Sequence, residues 1–136
     1  MRQLEERHVV VFVDDEPEVL SALKRSLRRE PYQVLTTSRP QEALRWVRTR
    51  NVSAVVSDER MPEMTGTELL AKIAKRSPAT ARIILTAYAA PTAQVPQLRY
   101  SIECLIGKPW DDAMLRRTLR DFLSERERED PSRFER

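Results

Sequence analysis

The sequence predicts an α/β domain built on a five-stranded parallel sheet with helices on both faces. Short apolar, β-branched runs alternate with segments of helical period along most of the chain. The runs are apolar at consecutive rather than alternate residues, as in strands covered on both sides. With 136 residues there is room for one core, and each return to a parallel strand needs a crossover helix that packs back on the sheet.

The first run, Val9-Val10-Val11-Phe12-Val13, stops at Asp14-Asp15. From Pro17 to Arg29 the period becomes helical, with Leu20, Leu23 and Leu27 on one stripe and Pro17 suited to a first turn. Pro31 ends that helix, and the alternation repeats as a strand from Gln33 to Thr36 and a helix from about Pro40 with Ala43, Leu44 and Val47 inward. A third strand, Ala54-Val55-Val56-Ser57, ends at Asp58. A loop with Pro62 and Gly66 follows, then a helix through Leu69, Leu70 and Ile73 to Ser77. The fourth strand, Ile83-Ile84-Leu85, runs into Thr86. Pro91 and Pro96 predict a short or distorted helix after it, because an interior proline costs about 3 kcal/mol. The fifth strand, Cys104-Leu105-Ile106, leads to Gly107-Lys108-Pro109-Trp110 and a last helix with Leu115, Leu119 and Phe122 on one stripe. Trp46 and Trp110 are expected to cover core, and Cys104 to act as a small buried hydrophobe.

Composition narrows the chemistry. Forty per cent apolar and 33% charged residues describe a soluble domain, and no run approaches the ~18 residues of a membrane span. The charge-alternating start gives no leader, so the chain is expected to be cytoplasmic with no membrane partner. Its single cysteine, Cys104, cannot close an internal disulfide. Its single histidine, His8, starts the first strand away from the acidic residues, so any metal must be held by oxygen. A net charge of +3, with arginines spread between the apolar positions of helices, gives no direct nucleic-acid contact.

Ligands of such sheets bind at the carboxyl ends of the strands. The residues there are Asp14 and Asp15, Asp58, Thr86 and Lys108. Singly, each has an ordinary use as a helix cap, a turn former or a solvated charge. Together, three carboxylates without a cation would repel one another, so they predict a bound divalent metal, and oxygen-only ligation favours Mg2+. Beside that metal Asp58 can act as a nucleophile towards a phosphoryl group, with Lys108 and Thr86 contacting the phosphoryl oxygens.

Val11-Phe12-Val13-Asp14-Asp15-Glu16, Ser57-Asp58-Glu59-Arg60-Met61-Pro62-Glu63-Met64-Thr65-Gly66, Leu85-Thr86-Ala87 and Lys108-Pro109-Trp110 stand in the order and spacing of a known family. Over roughly residues 7–124 the chain resembles the response-regulator receiver domains of two-component signalling. The resemblance implies the CheY-like, flavodoxin-like strand order 2-1-3-4-5. It also implies phosphoryl transfer from a sensor histidine kinase or phosphotransfer protein to Asp58, with Thr86 and Lys108 completing the catalytic set. Mg2+ would be held by Asp14, Asp15, Asp58 and the backbone carbonyl of Arg60. The resemblance further implies a cis Lys108-Pro109 bond and, at Gly66, either a positive φ or a close backbone approach. Such a domain catalyses only its own phosphorylation and dephosphorylation.

Leu105 stands where these receivers usually carry an aromatic that follows the hydroxyl of Thr86. Coupling is therefore expected through the Thr86 loop and the following helix, or through Tyr88 or Tyr100. Ser101-Ile102 replaces a usual Gly-Ala pair. Arg60 and Tyr88, both large, are expected to lengthen the life of the phosphorylated state. Residues 1–6 read as an N-terminal extension, 7–124 as the receiver, and 125–136 as a charged tail or linker. Either the chain stands alone or it is joined to an output domain outside it, and the last helix with its charged extension offers a homodimer contact. Two other functions fit the residues less fully. A receiver-like adaptor would bind partners without phosphate, and a small-molecule Mg2+-dependent phosphatase would need a lid for which there is no insertion.

Overall fold

A computed structural model describes residues 8–87 and 101–129. They form β1 (Val9–Val13), α1 (Pro17–Leu27), β2 (Gln33–Thr37), α2 (Pro40–Thr49), β3 (Ala54–Ser57), α3 (Gly66–Arg76), β4 (Ala81–Thr86), β5 (Cys104–Gly107) and α4 (Asp112–Glu129). The strands lie in the order β2-β1-β3-β4-β5, and every pairing is parallel. The expectations about Pro91, Pro96, Tyr88 and Tyr100 lie outside the described residues.

Alternate residues of each strand serve opposite layers. Val10, Phe12, Val56, Ile83 and Ile106 pack with Leu23 and Leu27 of α1 and with Leu115, Leu119 and Leu123 of α4. Val11, Val13, Val55 and Ile84 pack on the other face with Ala43 and Val47 of α2 and Leu69, Leu70 and Ile73 of α3. The stripe of α4 continues at Leu123, four residues beyond Leu119, which leaves Phe122 on its flank against the same cluster. Trp46 and Trp110 also lie half-buried against core, on opposite faces.

Proline starts both α1 and α2, whose N-cap residues Glu16 and Arg39 give no side-chain cap. In contrast, α3 begins with a capping box. Thr65 accepts from the Glu68 N–H, and Glu68 accepts from the Thr65 N–H. The edge strand β5 is less buried than a central strand would be. Only Ile106 is buried, Cys104 is half-buried, and Leu105 is 37% exposed.

The charged run after Ser124 continues α4 to Glu129 and returns to the sheet. Arg126 is buried, donating through Nε to the Ala79 carbonyl and through a terminal nitrogen to Glu103, each at 2.6 Å. Glu127 lies 2.6 Å from Nε2 of the fully buried His8, whose Nδ1 is 2.7 Å from Ser53 Oγ. These contacts fill the amino-terminal rim of the sheet, opposite the acidic residues.

Candidate functional site

Strand register assembles the site. Val13 pairs with Thr37 on one side and Ser57 on the other, so Asp14 and Asp58 leave adjacent strands at the same level. The Asp58 N–H donates to the Val13 carbonyl at 2.9 Å, extending the ladder into the site. Across the sheet Thr86 pairs with Gly107, and the Lys108 N–H donates to the Thr86 carbonyl at 3.0 Å. The Lys108-Pro109 bond is cis.

Asp14, Asp15 and Asp58 each present a carboxylate oxygen within 4.8 Å of the other two. Asp14 and Asp58 are buried, whereas Asp15 is exposed. Three hard oxygen donors so close, one at the solvent boundary, fit a small divalent cation that keeps several waters. Lys108 Nζ donates to Asp14 Oδ2 at 2.7 Å and lies 3.5 Å from Asp58 Oδ1 and 3.8 Å from Glu16. Thr86, 1% exposed, lines the same cleft with Asp15, Glu16, Asp58, Arg60 and Lys108, in a volume of about 260 Å³. Every residue expected at the site is therefore here.

Burial pushes the Asp14 carboxyl above its ordinary range, assisted by the Asp58 charge. The Lys108 hydrogen bond and the Glu16 N–H at 2.9 Å offset this only in part. Burial also works to lower Lys108, but the hydrogen bond to Asp14 and the charges of Asp14, Asp58 and Glu16 outweigh it and hold the ammonium above its ordinary range. Lys108 lies within 4 Å of three carboxylates, those of Asp14, Glu16 and Asp58.

The loop after Asp58 is tied down by Glu59 and Thr67, to which the motifs assign no role. Glu59 is buried, and its Oε1 accepts from the Thr67 N–H at 2.9 Å and the Thr67 hydroxyl at 2.7 Å. The signal for this existed in part. A Thr-x-x-Glu box at Thr65 marks the helix start, and a carboxylate is favoured beside the N–H groups there. Gly66 packs so closely that a Cβ on it would stand 2.2 Å from the Asp58 carbonyl oxygen. Its φ is not positive, so close approach is the alternative that holds.

Comparison with known proteins gives a match to the response regulator receiver domain model over residues 10–120. The chain belongs to the response-regulator receiver family. This receiver is 35% identical over 116 residues to the transcriptional regulatory protein GlrR of Escherichia coli K12, covering 85% of the chain but 26% of GlrR. It thus spans about a quarter of that relative. Among solved structures, a CheY-like receiver domain protein from Methanospirillum hungatei JF-1 superposes with a TM-score of 0.82 at 30% identity, covering 90% of this chain and 98% of that one. The response regulator TrrA of Thermotoga maritima, solved in complex with Mg2+-BeF, gives a TM-score of 0.78 at 27% identity, covering 85% of this chain and 99% of that one. No helix among the described residues is long and apolar enough to cross a membrane.

Proposed function

We propose that this receiver is a phosphorylation-dependent switch in which the Asp58 carboxylate takes a phosphoryl group from a sensor histidine kinase or a phosphotransfer protein. The observation that carries this is the convergence of three carboxylate oxygens within 4.8 Å beside one half-buried ammonium, that of Lys108. Asp58 Oδ1 is engaged by the Glu59 N–H at 2.9 Å and faces Lys108, while Oδ2 accepts no hydrogen bond from the described residues. Oδ2 forms the new bond to phosphorus as the bond from phosphorus to the donor nitrogen breaks and its electron pair leaves with that nitrogen. An ionised carboxylate has no proton to lose, so no general base is required.

Asp14, Asp15, Asp58 and the Arg60 backbone carbonyl would hold Mg2+, which supplies positive charge against the phosphoryl oxygens. TrrA, solved with Mg2+-BeF, supports this by likeness. Lys108 supplies a second cation and Thr86 a hydroxyl donor at the same cleft. Hydrolysis of the acyl phosphate resets the switch, so the catalysis acts only on the chain itself. Residues 7–124 are taken as the receiver unit, working in the cytoplasm where ATP-fed kinases act. GlrR, of which the matched region covers 26% and which is named as a transcriptional regulator, supports an output domain joined to receivers of this kind.

Intact mass after incubation with a small acyl phosphate tests the reading. One added phosphoryl group that requires Mg2+ and is lost in Asp58→Asn is the expected result. The exposed Leu105 at the usual aromatic position favours, as second reading, an adaptor that binds without phosphate. A folded natural chain that binds Mg2+ yet gains no mass would select it.

A further inference from the structure

Glu59 holds three residues around the site at once. Its N–H donates to Asp58 Oδ1 at 2.9 Å, its carbonyl accepts from the Gly66 N–H at 2.9 Å, and its carboxylate takes both Thr67 donors. The side chain is buried, and Thr67, also buried, is the second residue of α3. A buried carboxylate persists only where its hydrogen bonds are satisfied, and here two donors at a helix start satisfy one oxygen.

We infer that Glu59 is a positioning residue for phosphoryl transfer, anchoring to the start of α3 the backbone N–H that orients the Asp58 carboxylate. This rests on Asp58 being the acceptor. The physical chain is short. Nothing but the Glu59 backbone separates the N–H on Asp58 Oδ1 from the side chain fixed on Thr67. Freeing that side chain lets the peptide rotate, and the Asp58 carboxylate loses the donor that fixes which oxygen faces the incoming phosphorus. Small errors in the placement of a reacting group cost rate out of proportion to stability. The anchor acts through hydrogen-bond acceptance rather than charge, because both contacts come from N–H and O–H donors to one oxygen. A glutamine keeps that oxygen as an acceptor.

The test measures the rate of phosphorylation by a small acyl phosphate as a function of Mg2+, together with thermal unfolding, for the natural chain and for Glu59→Ala, Glu59→Gln and Thr67→Val. Glu59→Ala should be phosphorylated about tenfold more slowly at saturating Mg2+, the kinetic equivalent of ~1.4 kcal/mol lost from orientation. The Mg2+ giving half the maximal rate should change less than about twofold. Glu59→Gln should restore most of the rate, and Thr67→Val should fall between the two. A purely structural role would lower the unfolding temperature and leave the rate of the folded molecules alone, and that result overturns the inference. A Gln variant as slow as the Ala variant overturns it as well. If Glu59→Ala does not fold, the decision passes to Thr67→Val, where an unchanged rate overturns the inference and a slowed one upholds it. Absence of phosphorylation in the natural chain is a separate result that removes Asp58 as acceptor.

Discussion

Replacing Gly66 by alanine sets two opposing effects against each other. Its φ is not positive, so alanine is compatible with the backbone and gains roughly 0.4–1 kcal/mol from a less flexible unfolded chain. Against that, the new Cβ would stand 2.2 Å from the Asp58 carbonyl oxygen and 2.9 Å from Ile84 Cδ1, where ordinary contact begins near 3.4 Å. The isoleucine methyl can move, but the carbonyl belongs to a loop held by the Asp58 and Gly66 backbone bonds, so β3 and α3 must part by about an ångström. Overpacking of this kind costs up to about 3 kcal/mol, which leaves a net loss of about 2 kcal/mol. In a domain of this size that lowers the unfolding temperature by about 8 °C. Gly107→Ala is the matched control, because a Cβ there meets nothing within 4 Å. It should melt within about 2 °C of the natural chain. Differential scanning calorimetry on both variants decides the matter, and phosphorylation should slow in Gly66→Ala because the displaced carbonyl is that of Asp58, the proposed acceptor. A Gly66→Ala chain melting with the Gly107→Ala control would show that the Asp58 carbonyl yields to the added methyl without cost.

Three further outcomes follow from the charges. Asp14 has its folded pKa raised by burial, so its contribution to stability is present at low pH and lost as pH rises through that value. Asp14→Asn should therefore melt above the natural chain at pH 7 without Mg2+, by a margin that narrows as pH falls towards 4. Lys108 has its folded pKa raised above 10.5, the net of burial lowering it and the Asp14 bond with nearby carboxylates raising it. Its stabilisation is present below that value and lost as pH climbs through the higher folded one, so urea unfolding between pH 9 and 11.5 should show a loss that Lys108→Met reduces. Arg126→Ala should cost about 2 kcal/mol in urea titrations, since the Ala79 carbonyl loses a charged donor while Glu103 keeps the Arg82 N–H at 2.9 Å.

The backbone plan and the membership of the site were legible in the sequence. Consecutive apolar residues in Val9 to Val13 and Ala54 to Val56 marked strands buried on both faces, helical stripes marked α1 to α4, and the polar residue ending each strand marked the edge that carries the candidate site. These signals are local, because side-chain direction repeats every 2 or 3.6 residues whatever the rest of the chain does. Strand order was not local and came from resemblance to receivers, which the parallel pairings match. Distances were out of reach for the same reason. Lys108 meets Asp14 across a sequence separation of 94 only because the crossovers bring β5 and β1 to a common edge. The edge position of β5, which leaves Leu105 exposed, and the return of Arg126 and Glu127 to Ala79 and His8 likewise depend on which elements become neighbours. A charged run such as Glu125 to Glu129 reads as solvated in one dimension, and becomes part of the core's rim only when the buried His8 and the Ala79 carbonyl lie within reach. Local patterns thus carried the fold class and the residue types that gather at the candidate site. How the loop after Asp58 is clamped came from tertiary packing, because the Glu59 to Thr67 and Gly66 to Asp58 contacts depend on how α3 seats against the end of β3.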